Sequence, residues 1–427
     1  MTQTLRPADR LTATPDDRDR VLPPVIILGG GANALSVARS LGRAGVRVYA
    51  LDDDSSYVRY SRHCRRIELQ GIAPQSWARF LLGPESDPWR GAVLLACSDA
   101  ALTLLAEHRE ALSARFRLDD SNPAAQRLML NKLATYQEAR DAGVPTPQFW
   151  FAETREDVLA LEGSLPYPLI VKPHDTHAYE QQSGRKFEVA HDFEHVLRAY
   201  DALSACGIAT LLVEWIPGPD DRLCSYYTYL DEQGEPLFHF TKRIIRRFPV
   251  GMGNACYHVT DWNPDVRDEA LRLFQWVGLR GLANAEFKRD DRDGRLKLIE
   301  CNARFTAADC LVARSGFNLA AFVYNRLVGT PQPPLERYRE GMRLWDPIRD
   351  FQCFLTLRKQ GALTFRQWAA SVLHRQTFPY FNWSDPLPAL ARGAKPLRRI
   401  LGKILAKGRG EAKGWIDPPP APPPYGG

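Results

Sequence analysis

Between Gly281 and Arg304 the chain alternates apolar and polar residues on both sides of a polar break, Asp290-Asp291-Arg292-Asp293-Gly294. Period-two alternation marks a strand, and a Gly-ended acidic turn between two such runs predicts a hairpin. Side chains two apart share a face. Leu296, Leu298, Glu300, Asn302 and Arg304 therefore line one face of the second strand, which runs from apolar to polar. Folding the hairpin at Arg292–Asp293 sets Glu286 nearly opposite Glu300. Two carboxylates and an amide oxygen then converge, with an arginine beside them. Facing carboxylates repel, so a positive group belongs between them. Hard oxygen donors in this number suit Mg²⁺, which one or two carboxylates hold together with substrate phosphates. Arg304 would neutralise charge on a transferring phosphoryl group.

Three upstream features belong with this hairpin. Lys172 closes the apolar run Leu169-Ile170-Val171 just before Pro173, where a lysine points into a cleft or out to water. Lys132 follows Asn131 in a helix expected from Pro123 to about Ala142, which Gly143, Pro145 and Pro147 stop. Glu214-Trp215-Ile216 closes the strand Thr210–Val213, and Pro217-Gly218 turns the chain. A carboxylate at a strand end, beside free backbone, suits an adenine amino group and a ribose.

Taken in order, Lys132, Val171-Lys172-Pro173, Glu214-Trp215-Ile216, Glu286 and Glu300-Cys301-Asn302-Ala303-Arg304 resemble the ATP-grasp superfamily of carboxylate–amine ligases, loosely its D-aspartate ligase-like members. The resemblance covers residues 25–330. It implies that Lys132 and Lys172 contact ATP phosphates and that Glu214, with the backbone near Trp215 and Ile216, reads adenosine. It implies Mg²⁺, or Mn²⁺ in its place, on Glu286, Glu300 and Asn302, with Arg304 and Lys172 acting on the reacting phosphoryl group. The family often carries a glycine-rich loop after the second lysine. Here residues 174–186 hold one glycine, and Ser183, Gly184 and Lys186 are its candidates for capping phosphates. His174 and His177 lack the further spaced ligands of a zinc site.

The fold class expected is α/β plus α+β: an ATP-grasp fold behind a Rossmann-like domain. Residues 1–24 read as a disordered leader. Residues 25–122 read as a small α/β domain: strand Val25–Leu28, glycine turn, helix Asn33–Ala44, strand Val46–Leu51. Residues 123–332 form the ATP-grasp part, where strands at 168–173, 209–216, 222–230, 236–247, 255–261, 281–289 and 295–302 predict mainly antiparallel sheet. Residues 333–416 are a helical region, and 417–427 a Pro-rich tail. The turn Gly29-x-Gly31-x-x-Ala34, with Asp52–Asp54 after the next strand, imitates a dinucleotide fingerprint, which keeps a nicotinamide or flavin oxidoreductase as an alternative. In the resembled family this loop faces the acceptor, which makes Gly30 and Gly31 substrate candidates. Lys242-Arg243-Ile244-Ile245-Arg246-Arg247 crosses a strand, and Lys242 and Arg243 are candidates for binding an anionic substrate.

Composition narrows the classes. The net charge of +6 equals that of Ala391–Asp417 alone, where eight Lys or Arg face two acids, so the rest is near neutral and nucleic acid is not called for. Leu397, Ile400, Leu401, Ile404 and Leu405 repeat at helical spacing, with Arg398, Arg399 and Lys403 off the stripe. A basic amphipathic segment of this kind docks on a membrane, a partner or the enzyme itself, so a non-catalytic ATP-binding protein with a docking tail is a second alternative. The eight cysteines show no CxxC spacing and read as reduced, in a cytoplasmic protein. No apolar run reaches the roughly 18 residues of a membrane span, and none near the start makes a signal peptide. The expected substrates are a small-molecule carboxylate and an amine, joined in an amide or peptide-like bond.

Overall fold

The structure is a computed structural model that describes residues 22–51, 56–71, 73–173, 187–330, 332, 335 and 337–394. Asp52–Asp54, the stretch 174–186 with Lys186, most of the leader and the amphipathic segment from 397 onward lie outside the described residues. The chain groups into two compact units, one of Met1–Asp120, Lys242–Trp262 and Arg304–Gly427, the other of Ser121–Thr241 and Asn263–Ala303. The units interleave in sequence: the chain leaves the second unit at 242 and again at 304.

The first unit opens as the sequence leads one to expect. Strand β1 (Val25–Leu28) pairs in parallel with β2 (Val48–Leu51) and with β4 (Val93–Ala96), and β3 (Arg65–Arg66) extends the sheet in the order β3-β2-β1-β4. All four residues of β1 are fully buried, as the central strand of a covered parallel sheet must be. The helix Ala32–Arg43 follows the glycine turn.

The second unit begins with β5 (Phe149–Ala152), β6 (Leu169–Pro173), β7 (Glu188–Ala190) and β8 (Thr210–Glu214), an antiparallel sheet of order β5-β8-β6-β7. Leu169 and Val171 of β6 and Leu212 of β8 face a core closed by Val196, Tyr200 and Leu203 of the helix Phe193–Ser204. Strand β9 (Leu223–Leu230) follows. Strands β10 (Phe240–Phe248) and β11 (Asn254–Asp261) then belong mostly to the first unit. The chain returns as β12 (Gly281–Arg289) and β13 (Leu296–Asn302), and β12 pairs antiparallel with both β13 and β9. In the first unit β11 continues through β14 (Arg343–Trp345) to β15 (Gln376–Thr377).

One local expectation is corrected. The single helix from Pro123 to about Ala142 is two, Pro123–Leu130 and Lys132–Asp141. Asn131 takes an extended backbone, and its side chain accepts a hydrogen bond from the Ala134 amide, so it caps the second helix instead of continuing the first. Lys132 becomes the first residue of a helix. Gly143, at φ +73°, follows that helix in the left-handed conformation that glycine tolerates.

Arg246 of β10 and Asp350 of the helix Pro347–Lys359 form a buried ion pair at 2.6 and 3.0 Å. Asp350 also accepts from the Trp345 and Trp368 indoles, each at 2.9 Å. Here charge, hydrogen bonds and aromatic packing satisfy one another. Among the described residues no helix is long and apolar enough to cross a membrane, and all eight cysteines are free. Removing one partner of a buried ion pair strands the other. Asp350→Ala should therefore lower unfolding free energy by about 3–5 kcal/mol in urea titration, while the apolar pair Arg246→Met/Asp350→Leu recovers most of that loss.

Candidate active site

The hairpin places its carboxylates as the spacing predicts. Glu286 of β12 is the direct cross-strand partner of Glu300 of β13, and Asn284 pairs with Asn302. The register shifts between Glu286 and Phe287, directly beside the carboxylate pair. A bulge there turns side chains that regular alternation would send elsewhere. Asn302 donates its amide nitrogen to Asn284 Oδ1 at 3.3 Å, which leaves its own oxygen to act as a ligand.

Two facing carboxylates need a cation, and the protein supplies one. Lys132 Nζ lies 2.9 Å from Glu300 Oε2. Burial disfavours the Lys132 charge, but Glu300, with help from Tyr136 and Glu286, outweighs it and holds the pKa above the ordinary lysine value. Tyr136, one turn along the same helix, donates its hydroxyl to the Ile299 carbonyl at 2.8 Å, and burial pushes its phenol up to about 12. This bond ties the helix of Lys132 to β13 at the residue before Glu300.

Lys172 is the counterpoint. Its ammonium lies 5.5 Å from the centre of the Tyr136 ring. Burial, then the neighbouring Lys132 charge, push its pKa well below the ordinary lysine value, against a smaller pull from Glu300. A lysine held in this condition gains most from an incoming polyanion.

Glu214 ends β8, nearly fully buried. It accepts from the Gln148 amide at 2.9 Å and from the Arg292 guanidinium. Asp290, also buried, accepts from Arg292 and from Lys297 at 2.7 Å, and those bonds overcome its burial to hold its pKa below the carboxylate range. Thus the polar turn of the hairpin is fastened to the end of β8. Lys288, buried on β12, donates to the carbonyls of Ile216 and Gly218 at 2.8 and 2.6 Å and lies 5.8 Å from the Trp215 ring centre. Lys288, Arg292, Lys297 and Tyr136 were not singled out from the sequence. The legible trace of Lys288 was its shared parity with Glu286 along β12; Arg292 lay in a turn that reads as solvated, Lys297 on β13 and Tyr136 in the helix of Lys132.

The remaining candidates lie in the first unit. Arg304, just past the end of β13, pairs with Asp99 at 2.5 Å and donates to the Phe305 carbonyl. Asn33 holds the glycine turn: its oxygen accepts from the Gly31 amide at 2.8 Å, and its nitrogen donates to the Cys97 and Phe305 carbonyls at 2.6 and 2.9 Å. Gly30, at φ +90°, leaves a Cβ no room, since one would sit 2.6 Å from Cys97 Cβ. Lys242 and Arg243 fall on opposite faces of β10. Lys242 is buried, and Arg243 is exposed and paired with Asp261 at 3.2 Å, so the two do not present one joint surface.

The donor set of two carboxylates and an amide oxygen on adjacent strands fits a hard divalent cation completed by phosphate and water. Among the described residues no group of three or more His, Cys, Asp and Glu could hold a metal by itself.

No family model matches the sequence. The chain is similar to D-aspartate ligase of Enterococcus faecium, at 27% identity over 326 residues, covering 70% of this chain and 75% of that protein. It is similar to D-alanine–D-alanine ligase of Stutzerimonas stutzeri at 28% identity over 196 residues, which spans 42% of this chain and only 56% of that relative. In fold it resembles biotin carboxylase of Campylobacter jejuni, solved as a β,γ-ATP complex, with a TM-score of 0.59 and 16% identity over 76% of this chain and 74% of that one.

The Lys172 charge gives a pH signature. The folded protein holds this proton less tightly than the unfolded chain, so below the ordinary lysine pKa, about 10.4, the group opposes folding. Stability then rises with pH between the depressed folded value and the ordinary one. Lys172→Met should melt above the wild type at pH 7, by a margin that shrinks as pH rises. It should also lose the stabilisation that MgATP confers, about 2.7 kcal/mol at a hundredfold excess over Kd. Differential scanning fluorimetry with and without nucleotide reads both effects.

Proposed function

We infer that this chain, an ATP-grasp enzyme of the carboxylate–amine ligase type, uses the Lys132, Lys172, Glu286, Glu300 and Asn302 cluster to bind and orient MgATP. The observation that carries this assignment is the Glu286–Glu300 cross-strand pair with Lys132 bonded to one member and Lys172 close by. In the reaction, a substrate carboxylate oxygen attacks the γ-phosphorus of ATP. The bond to ADP breaks, and an acyl phosphate forms. The amine nitrogen then attacks the acyl carbon, phosphate leaves with the electron pair, and an amide results.

The chain's part is positioning and charge stabilisation. Lys172, which forms no salt bridge among the described residues, receives a phosphate oxygen. Lys132 shares itself between Glu300 and the phosphates. Bound Mg²⁺ would be held by Glu286, Glu300 and Asn302 and would neutralise charge on the phosphates. Arg304, two residues past Asn302, supports the transferring phosphoryl group by exchanging its exposed Asp99 partner for it. Lys288 fixes the Ile216 and Gly218 carbonyls, which orients the Trp215–Ile216 backbone toward adenosine. Glu214 serves this segment by anchoring its start. Both relatives carry names of ligases acting on D-amino acids, which supports an amino acid as one substrate.

Glu300→Gln should leave the strands paired and reduce ADP formation by about 10²-fold or more. Phosphate release across a panel of amino-acid carboxylates and amines measures this. Equal nucleotide binding by wild type and variant with Mg²⁺ present, and no ADP from either, would refute the assignment.

A docking role for residues 391–416 gains support from the surface just before them, where Trp383 is 89%, Leu387 58% and Leu390 64% exposed. Apolar residues followed by a basic segment suit an anionic membrane. Deleting 391–427 should abolish sedimentation with phosphatidylserine vesicles; unchanged sedimentation removes the membrane from consideration.

A further inference from the structure

Thirteen large apolar side chains are exposed among the described residues, and eight of them fall between Ile348 and Leu390 of the first unit. The helix Pro347–Lys359 supplies three. Asp350, Cys353 and Phe354 form its buried face. Ile348, Phe351 and Leu355, 45%, 46% and 49% exposed, follow one another at spacings of three and four and line a face turned away from it. A surface helix ordinarily sets polar residues there. The helix Phe365–Val372 adds to this surface: none of its eight residues is buried, and Phe365 is exposed. Trp368 joins the two helices. Its ring lies 4.9 Å from that of Phe354 and 5.9 Å from those of Phe351 and Phe365, while its indole donates to Asp350. Packed rings thus hold the patch in shape before anything binds it.

The charge around it has one sign. From β14 to Ala394 the chain holds three acids, Asp346, Asp350 and Asp385, and each is buried against an arginine: Arg392, Arg246 and Arg39. No exposed acid is left to oppose the exposed cations. These are Arg358 and Lys359, one turn on from Leu355, with Arg366 beside Phe365 and Arg375 after the second helix. Apolar side chains flanked by cations suit a surface that is apolar within and anionic at its edge. A second copy of the chain would meet the rings but set the same cations against each other across a two-fold axis. A nucleic acid would meet the cations but give the aliphatic Ile348 and Leu355 little to bury against.

We propose that the outward face of the helices Pro347–Lys359 and Phe365–Val372 is a preformed docking surface for an anionic lipid bilayer. This rests on the docking reading of residues 391–416 and deepens it by adding a folded contact. The end of the described chain supports the pairing. Arg392 is tied to Asp346, the cap of the helix Pro347–Lys359, at 2.6 and 3.0 Å, so the described chain ends close to the first turn of the exposed helix. Lys395, Arg398, Arg399 and Lys403 follow in the sequence and add cations to those of the face. On the bilayer, Ile348, Phe351 and Leu355 enter the headgroup region. Arg358 and Lys359 lay their stems along it and keep their charges at the phosphates. One such contact alone gives marginal attachment, and two together give a stable one.

Sedimentation of the full-length protein tests this, with phosphatidylcholine vesicles that contain phosphatidylserine and with phosphatidylcholine vesicles alone. Wild type should bind the first and not the second, and added salt should weaken it. Ile348→Ser/Leu355→Ser and Arg358→Glu/Lys359→Glu should each lower partitioning onto the anionic vesicles about tenfold or more, with the urea midpoint and MgATP-dependent ADP formation unchanged. Ile348→Trp/Leu355→Trp keeps apolar area on the face and should bind at least as well as wild type, which separates lost contact from lost fold; weaker binding by this pair overturns the proposal. Wild-type binding by both the serine and the glutamate pairs also overturns it, and the tail reading then stands alone if deleting 391–427 still abolishes sedimentation. Loss in those pairs with binding kept by the truncated chain supports the face and removes the tail. No binding of wild type to either vesicle overturns both readings. Equal binding to the two vesicles overturns the anionic assignment, and a wild-type dimer in light scattering that the same pairs convert to monomer assigns the patch to a second copy instead.

Discussion

Two carboxylates facing each other across paired strands are the constraint on which the second unit is organised. The backbone ladder of β12 and β13 forces Glu286 and Glu300 together; like charges placed so would push the strands apart unless a cation entered. Lys132 is that cation, and it reaches Glu300 because Asn131 breaks the preceding helix and starts a new one. Tyr136, fastened to the Ile299 carbonyl, fixes the new helix against β13. Capping, helix position and ion pair form one causal chain.

A second joint holds the backbone that follows β8. Glu214 at the end of β8, Asp290 in the hairpin turn, and the cations Arg292 and Lys297 form a compact network with two buried acids. In a low-dielectric setting such a network is stable only when each member is paired. Lys288 does a related task with neutral partners, spending its ammonium on two carbonyls of the turn after Trp215. Neither group belongs to the Lys132–Lys172 cluster proposed for nucleotide. They hold backbone in place, which is what preorganisation of a phosphate site requires.

The parallel start at β1 and β2, the hairpin and the Glu286–Glu300 pairing were legible in the sequence, because strand alternation and turn chemistry are local signals. The break at Asn131 was also local, but an Asn beside a lysine within helical spacing reads equally as continuation. Lys242 and Arg243 looked like one basic patch, though period two sends neighbours to opposite faces, and the structure buries one and pairs the other with Asp261. Asp309 gave no signal at all. An isolated acid before an apolar run looks like a helix N-terminus, and only the lack of a salt bridge among the described residues separates it from Asp350.

Charge satisfaction divides the molecule into two kinds of polar site. Arg246–Asp350 and the Glu214–Asp290 network contain their own counter-charges, so adding a ligand there would displace something already bound. Lys172 is half-buried beside Lys132, and burial and that neighbouring charge both disfavour its own. Its charge lowers the stability of the free protein, and a phosphate of opposite sign would relieve it. The stability lost at this position would be recovered on nucleotide binding, which would couple occupancy to the order of β6.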